Sequence, residues 1–363
     1  MTKTIMVMAG GTGGHIYPGL AVAAVLAAKD WRVVWLGTRR GMEARIVPSH
    51  GYDMAWLSMG GMRGKGWLRQ LLMPAMLLLS MGQAIAALLR FRPDVVLGMG
   101  GYPSLPGGLM SALLGRPLLI HEQNSIAGLS NRVLACVANK VMTGFPAALQ
   151  QKNDKPLFCM NITTEWVGNP VRENMVSAVR EDKTTRTGCL RVLVVGGSLG
   201  AVALNEVVPQ ALALMPMDNR PEVVHQAGAR HIDTLRTNYA HAHVEADVRD
   251  YIHDMAEMYA WCDVAITRAG ALTLAELAVA GVPALLVPYP HAVDDHQTHN
   301  ADFLVACGAA QLMPQAHLTA ESLAAILQQL DRQQLAHMAQ QALHVAKPDA
   351  AVTVARWCEE ATG

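Results

Sequence analysis

Cysteine is scarce in this chain of 363 residues, and none of the six (Cys136, Cys159, Cys189, Cys262, Cys307, Cys358) lies in a C-x-x-C pair. That excludes a zinc ribbon or a disulfide framework as the basis of the fold and suits a reducing compartment. Net charge is also missing, since 29 Lys and Arg balance 29 Asp and Glu. No basic field extends over the whole chain, and no nucleic-acid partner is expected. A secretory signal pattern is absent too. The first apolar run, Ile5–Ala9, is short and ends in glycines, so it reads as a buried first strand.

What is present is a globular α/β composition, 52% hydrophobic with 31 glycines and 18 prolines. A chain of this length exceeds one ordinary core, so two domains are expected. The zero net charge hides an asymmetry. Residues 1–169 carry 16 Lys and Arg against 7 Asp and Glu, whereas residues 170–363 carry 13 against 22. The basic half is expected to face something anionic.

Short β-rich runs alternate with helical patterns. The expected strands are Thr4–Ala9, Arg32–Gly37, Asp94–Gly98, Pro117–His121 and Lys140–Thr143 in the first half. In the second they are Arg191–Val195, Glu222–Gln226, Asp263–Thr267, Pro283–Val287 and Ala309–Met313. Strand-helix-strand repetition implies parallel sheets with right-handed crossovers. "VMAGGTGGH" (Val7–His15) and "VLVVGGSLGA" (Val192–Ala201) echo each other as strand, double glycine, hydroxyl residue, glycine and helix. The fold class is therefore α/β, with two Rossmann-like domains whose parallel sheets face a cleft. "VGNP" (Val167–Pro170) is the expected linker, dividing 1–169 from the second domain.

Twenty uncharged residues run from Gln70 to Leu89. Pro74, Ser80, Gly82 and two glutamines make this a poor transmembrane helix. Arg63, Lys65, Arg69, Arg90 and Arg92 ring it, with no acidic residue between Asp53 and Asp94. Apolar surface ringed by cations reads as peripheral contact with an anionic bilayer; the plainer reading is a buried crossover helix.

Neither glycine turn fits a dinucleotide fingerprint, because Ile16 follows where a third glycine is needed, and "GKG" at Gly64–Gly66 lacks the Ser or Thr of a Walker loop. Arg39 and Arg40 keep an NADP oxidoreductase open as an alternative. The first turn offers amides and a helix N-terminus to an anion. His15, at its mouth, is a candidate general base, against the simpler reading of a packing or capping histidine. In Asp263–Pro290, a strand ends at Thr267 and a helix begins near Ala271. The amides of Ala271, Leu272 and Thr273 suit a diphosphate, and Glu276 suits a ribose diol. "HAVDDHQTHNA" (His291–Ala301) suits sugar hydroxyls through Gln297 and Asn300; a metal held by His296 and His299 is the weaker alternative.

Together these stretches resemble glycosyltransferase family 28, bacterial enzymes that add N-acetylglucosamine to the lipid-linked muramoyl-pentapeptide of peptidoglycan. The resemblance rests on "GGTGGHIYPGLAVA", "GMRGKG", "GMGGYPSLPG", "HEQNSIAGLSNR", "VGNPVR", "GGSLGA", "RAGALTLAE" and "DDHQTHNA", in order along the chain. It implies a GT-B fold. The N-terminal domain would hold the lipid acceptor, joined by a last helix within 347–363. A domain of 170–346 would hold UDP-N-acetylglucosamine. Uracil would meet Arg172 and the backbone at Ile252, and the diphosphate Ser198 and Ala271–Thr273, with Leu274 and Ala275 adjoining. Glu276 would meet the ribose. Gln297, Asn124, Thr12, Gly13 and Gly14 would reach the sugar. Gly10, Gly11, Gly100, Gly101, Tyr102 and His121 would cradle the acceptor. Departures from the family pattern are His296 where glutamine is common, His299 where an aromatic is common, and Leu199 where glutamine is usual.

The implied chemistry is inverting displacement at the anomeric carbon, with His15 as base and Glu122 as the second candidate. No cofactor or metal is expected, and no D-x-D triplet occurs. The implied setting is the cytoplasmic face of the bacterial inner membrane, alongside other cell-wall synthesis proteins. A UDP-N-acetylglucosamine epimerase, a transferase using another lipid acceptor and a non-catalytic sugar-nucleotide binder remain alternatives.

Overall fold

A computed structural model describes residues 2–58, 73–149, 162–177, 183–197 and 200–363. It divides into two compact units, Met1–Arg172 with Pro348–Gly363, and Glu173–Lys347. The first unit is built on a parallel seven-stranded sheet in the order β3-β2-β1-β4-β5-β6-β7. Its strands are β1 (Thr4–Ala9), β2 (Arg32–Thr38), β3 (Asp53–Leu57), β4 (Val95–Gly100), β5 (Leu118–Glu122), β6 (Lys140–Thr143) and β7 (Thr164–Trp166). The second has a parallel six-stranded sheet in the order β10-β9-β8-β11-β12-β13. There the strands are β8 (Arg191–Val195), β9 (Glu222–Gln226), β10 (Asp247–Arg249), β11 (Val264–Thr267), β12 (Ala284–Leu286) and β13 (Ala310–Leu312). All ten expected strands are present, with ends shifted by at most two residues. The three that sequence patterning missed, β3, β7 and β10, are all edge strands.

Every residue of β1 and β4 is buried, because helices cover both faces of the sheet; such strands become continuous apolar runs. Trp35 is the largest fully buried side chain and donates its indole N–H to Ala9 O at 2.9 Å, at the carboxyl end of β1. In each sheet the strand order reverses once, between β1 and β4 and between β8 and β11. Ligands of such folds bind outside the strand ends at that reversal.

The terminal helix Ala350–Glu360 buries Val354, Ala355 and Cys358 in the core cluster that holds Ile5, Val7, Leu20 and Trp35. Lys29 and Glu359 tie its far end to the helix Gly13–Ala27 at 2.8 Å. The helix Met73–Phe91 is long and apolar enough, by length and composition, to cross a bilayer. Ser80, Ala84, Ala87 and Leu88 are nevertheless buried, the last three in the core beneath the sheet, while Met73, Leu78, Leu79 and Leu89 face outward. It is a docked helix with one uncovered apolar face. Arg90 and Arg92 are described, whereas Arg63, Lys65 and Arg69 fall outside the described residues. Among the described residues, Cys189, Cys262, Cys307 and Cys358 are free thiols.

One histidine is sealed inside each unit. Burial lowers His121 to about 4, opposed by its hydrogen bond to Gly168, and lowers His225 to about 3. Both are neutral when folded and take up protons only on unfolding, so stability is lost as pH falls below about 6.5. Urea unfolding at pH 7 and pH 5 should show a loss of about 2 kcal/mol for each histidine. His225→Leu should flatten the second unit's share of that slope.

Candidate functional site

In the first unit the site begins where β1 and β4 end. Gly101 has φ of +81° and approaches Gly10 so closely that any side chain at Gly101 would overlap the Gly10 carbonyl. The turn after β1 and the turn after β4 therefore pack backbone to backbone. The Tyr102 ring lies over Gly11, where an added Cβ would sit 3.2 Å from Cε1. Gly10, Gly11, Gly100, Gly101 and Tyr102 are brought together in one place.

Beneath them lies Glu43, which sequence reading missed. It is fully buried, accepts from the Gly11 amide at 3.2 Å, and accepts from the Thr38 amide and hydroxyl at 2.9 and 2.8 Å. Its side chain occupies the space that a Cβ at Gly10, Gly37 or Gly41 would need. A lone carboxylate in "GMEARI" carries no spacing signal; only the sheet brings Thr38 and Gly11 to it. Burial and the Glu43 charge push the Tyr102 hydroxyl up, against a Thr38 hydrogen bond.

Thr12 caps the helix Gly13–Ala27 in an extended conformation, so the amides of Gly13 and Gly14 open its first turn. The His15 amide returns to Thr12 O at 3.2 Å, and its ring Nδ1 lies 3.1 Å from Thr12 Oγ1. When Nδ1 donates to that hydroxyl, Nε2 is the basic atom, as a general base requires. Nε2 faces Gly100, where a Cβ would stand 2.9 Å from it.

At the end of β5 two expected site residues are committed to bonds within the fold. His121 is wholly buried, with Nε2 2.8 Å from Gly168 O and Nδ1 3.1 Å from Gln123 Nε2, so it ties "HEQN" to "VGNP" and presents nothing to an acceptor. Glu122 is also buried. Its Oε1 accepts from the Asn124 amide and side chain, and its Oε2 from the Gly128 amide and Asn131. A carboxylate held by four N–H donors anchors the loop around it. What it anchors includes Asn124, the expected sugar contact. Arg172 lies in this unit, its guanidinium 5.7 Å from the Tyr17 ring.

In the second unit, Ser198 and Leu199 fall outside the described residues. Gly197 is placed, and its carbonyl accepts from Gln226 Nε2 at 2.9 Å. Gln226 Oε1 accepts from the Ile252 amide at 2.9 Å, so one buried side chain joins the expected diphosphate turn to the expected uracil loop. Sequence reading missed this residue as well. The helix Ala271–Ala280 is capped by Gly270, and its first intrahelical bond runs from the Leu274 amide to Gly270 O at 3.0 Å. Ala271, Leu272 and Thr273 precede that bond and retain the geometry of an anion-binding terminus. Leu274 does not: its amide is committed and its side chain lies in the core. Ala275 is half-buried, and Glu276, one turn into the helix, is buried.

Arg268, a third residue missed, holds the other side. It donates to the carbonyls of Val287 and Pro288, each at 3.0 Å, and to Gln315 Oε1 at 2.6 Å. The loop so held carries Tyr289, whose amide donates to Gln297 Oε1 at 2.9 Å. Gln297 therefore offers a ligand its NH2 end. The ring N–H of His296 can meet Val293 O at 2.7 Å, and His299 lies 3.9 Å from Asp302. Among the described residues, no three His, Cys, Asp or Glu side chains converge as metal ligands.

Glu43→Gln would turn an N–H toward one of its three donors. It should cost about 1–3 kcal/mol, read as a lower urea midpoint.

The Glycosyltransferase family 28 N-terminal domain model matches residues 5–143, and the C-terminal domain model matches residues 191–354. The UDP-N-acetylglucosamine--N-acetylmuramyl-(pentapeptide) pyrophosphoryl-undecaprenol N-acetylglucosamine transferase of Thiobacillus denitrificans is 60% identical over 357 residues, 98% of each chain. The transferase of the same name from Azoarcus sp. is 59% identical over 360 residues, 99% of this chain and 98% of the relative. The crystal structure of Acinetobacter baumannii MurG matches at 38% identity with a TM-score of 0.84, over 99% of each chain. The chain belongs to glycosyltransferase family 28.

Proposed function

We propose that this protein transfers N-acetylglucosamine from UDP-N-acetylglucosamine to the 4-hydroxyl of the muramoyl sugar of undecaprenyl-diphospho-muramoylpentapeptide, with inversion. The observation that carries the reading is identity of 60% over nearly the whole length of a relative named for that transfer. The two sites built from unlike turns agree with it, one for each diphosphate. Family membership and the relatives' names favour transfer over epimerisation.

The second unit holds the donor. The helix opening at Ala271 faces the diphosphate with neutral amides and its positive dipole end, Glu276 takes the ribose, and Gln297 meets the sugar. The Ile252 backbone takes the uracil. As UDP leaves, charge grows on its diphosphate, and preorganised amides stabilise that charge without rearranging. The first unit holds the acceptor, its diphosphate against Gly10–Gly14 and Gly100–Tyr102. His15 Nε2 takes the hydroxyl proton as the oxygen attacks. UDP release should require the muramoyl-pentapeptide lipid. His15→Ala should lower kcat by about 10²–10⁴-fold, with little change in KM for UDP-N-acetylglucosamine. Near-normal turnover in that variant removes His15 as the base.

The first unit is proposed to lie on the cytoplasmic face of the bacterial inner membrane. The outward apolar face of Met73–Phe91, flanked by Arg90 and Arg92, would rest on the headgroups while its other face stays docked. Each basic side chain near such a surface adds about 1 kcal/mol. Flotation with anionic liposomes at low salt should carry the protein upward, and Leu78→Glu with Leu79→Glu should abolish this; failure of the parent protein to float removes the proposal.

A further inference from the structure

Gln123 is 1% exposed, and its Oε1 has no hydrogen-bond partner. The direction of that oxygen follows from its neighbours. Neutral His121 gives its Nε2–H to Gly168 O, so its Nδ1 accepts from Gln123 Nε2 at 3.1 Å. The same nitrogen donates to His121 O at 3.1 Å, while Asn169 Nδ2 holds the Gln123 carbonyl at 3.0 Å. A flipped amide would set its oxygen against the His121 carbonyl, so the orientation is forced. Oε1 then points toward Gly100. A Cβ at Gly100, whose φ is +100°, would stand 3.5 Å from Gln123 Oε1 and 2.9 Å from His15 Nε2. A sealed, unpartnered acceptor and the basic edge of His15 converge on the same bare point of backbone. An unsatisfied buried oxygen is a cost to the resting fold, and this one lies beside a group that gains a proton during turnover.

We propose that Gln123 is a positioning residue for His15, its Oε1 accepting the Nε2–H that His15 acquires in the transfer step. This rests on the reading of His15 as the base. In that step the acceptor O–H bond breaks and its proton passes to Nε2. The oxygen bonds to the anomeric carbon, and the bond from that carbon to the diphosphate breaks, its electron pair leaving on UDP. Gln123 Oε1 stabilises only the protonated imidazole, so it acts late in the step.

Among the described residues of the first unit, the other titratable groups around His15 have partners or stand apart. Glu43 and Tyr102 bracket Gly11, Arg172 stacks on Tyr17, and His121 stands neutral behind Gln123. Of the elements packed on the Gly13–Ala27 helix, β1 and β4 carry no titratable side chain. Arg32 of β2 is paired with Asp53 at the opposite strand ends, Glu359 of the terminal helix with Lys29, and Arg356 with Glu360.

The test compares Gln123→Met and Gln123→Glu with the parent, in pH profiles of kcat/KM and in NMR titration of 13C-labelled His15 in substrate-free protein. Stabilising the protonated ring raises its pKa. Gln123→Met should therefore move the acid limb and the His15 titration down by about one pH unit, and Gln123→Glu should move both up. KM for UDP-N-acetylglucosamine should stay constant. His15→Ala identifies the resonance, and circular dichroism confirms that each variant folds. An unmoved His15 titration in both folded variants overturns the proposal. Persistence of the acid limb in active His15→Ala overturns the base reading instead, while the NMR titration still judges Gln123.

Discussion

The backbone contact between Gly10 and Gly101 is the constraint on which the first unit's site depends. Two strands on either side of a topological reversal deliver two turns to one place, and those turns can touch only if Gly101 carries no side chain. Glu43 then collects the amides on the inner side, leaving the first turn of the Gly13–Ala27 helix to face outward. His15 stands at the third position of that helix, so its direction is set by the same contact. A change of a few tenths of an ångström at Gly101 would move the candidate base.

The second unit meets the same topological situation with different means. Its turn after β8 is joined to the loop after β10 by one amide, Gln226, which gives both ends of its side chain to backbone groups. Arg268 does the corresponding work on the far side of β11, gathering carbonyls that would otherwise lack donors. Neutral amides and a guanidinium suit a site for a dianionic diphosphate, because they offer donors and positive charge. In the first unit, both buried carboxylates near the site, Glu43 and Glu122, are wrapped in N–H donors. They organise the loops around them.

The strands that sequence patterning missed all lie at sheet edges. Asp53–Leu57, Thr164–Trp166 and Asp247–Arg249 each pair on one side only and mix polar with apolar residues. Interior strands such as Thr4–Ala9 and Arg191–Val195 are buried on both faces and announce themselves as apolar runs. The glycine turns, the candidate base and the Ala271 helix terminus were legible because each is a local pattern: a strand, then residues without Cβ, then a helix start. His121 and Glu122 misled for the opposite reason. A His-Glu pair after a strand has the composition of a catalytic site, and burial is not written in composition.

By itself, the amino-acid sequence determined the α/β alternation, the two parallel sheets, the placement of both glycine turns and the family. All of these follow from hydrophobic period and from residues whose backbone freedom is unusual. Tertiary structure alone decided which polar side chains are available to a ligand and which are spent on the fold. The side chains of Glu43, Gln226 and Arg268 find partners 5 to 47 residues away along the chain. Hydrogen bonds between such distant groups depend on how the strands are ordered, and no local spacing encodes that.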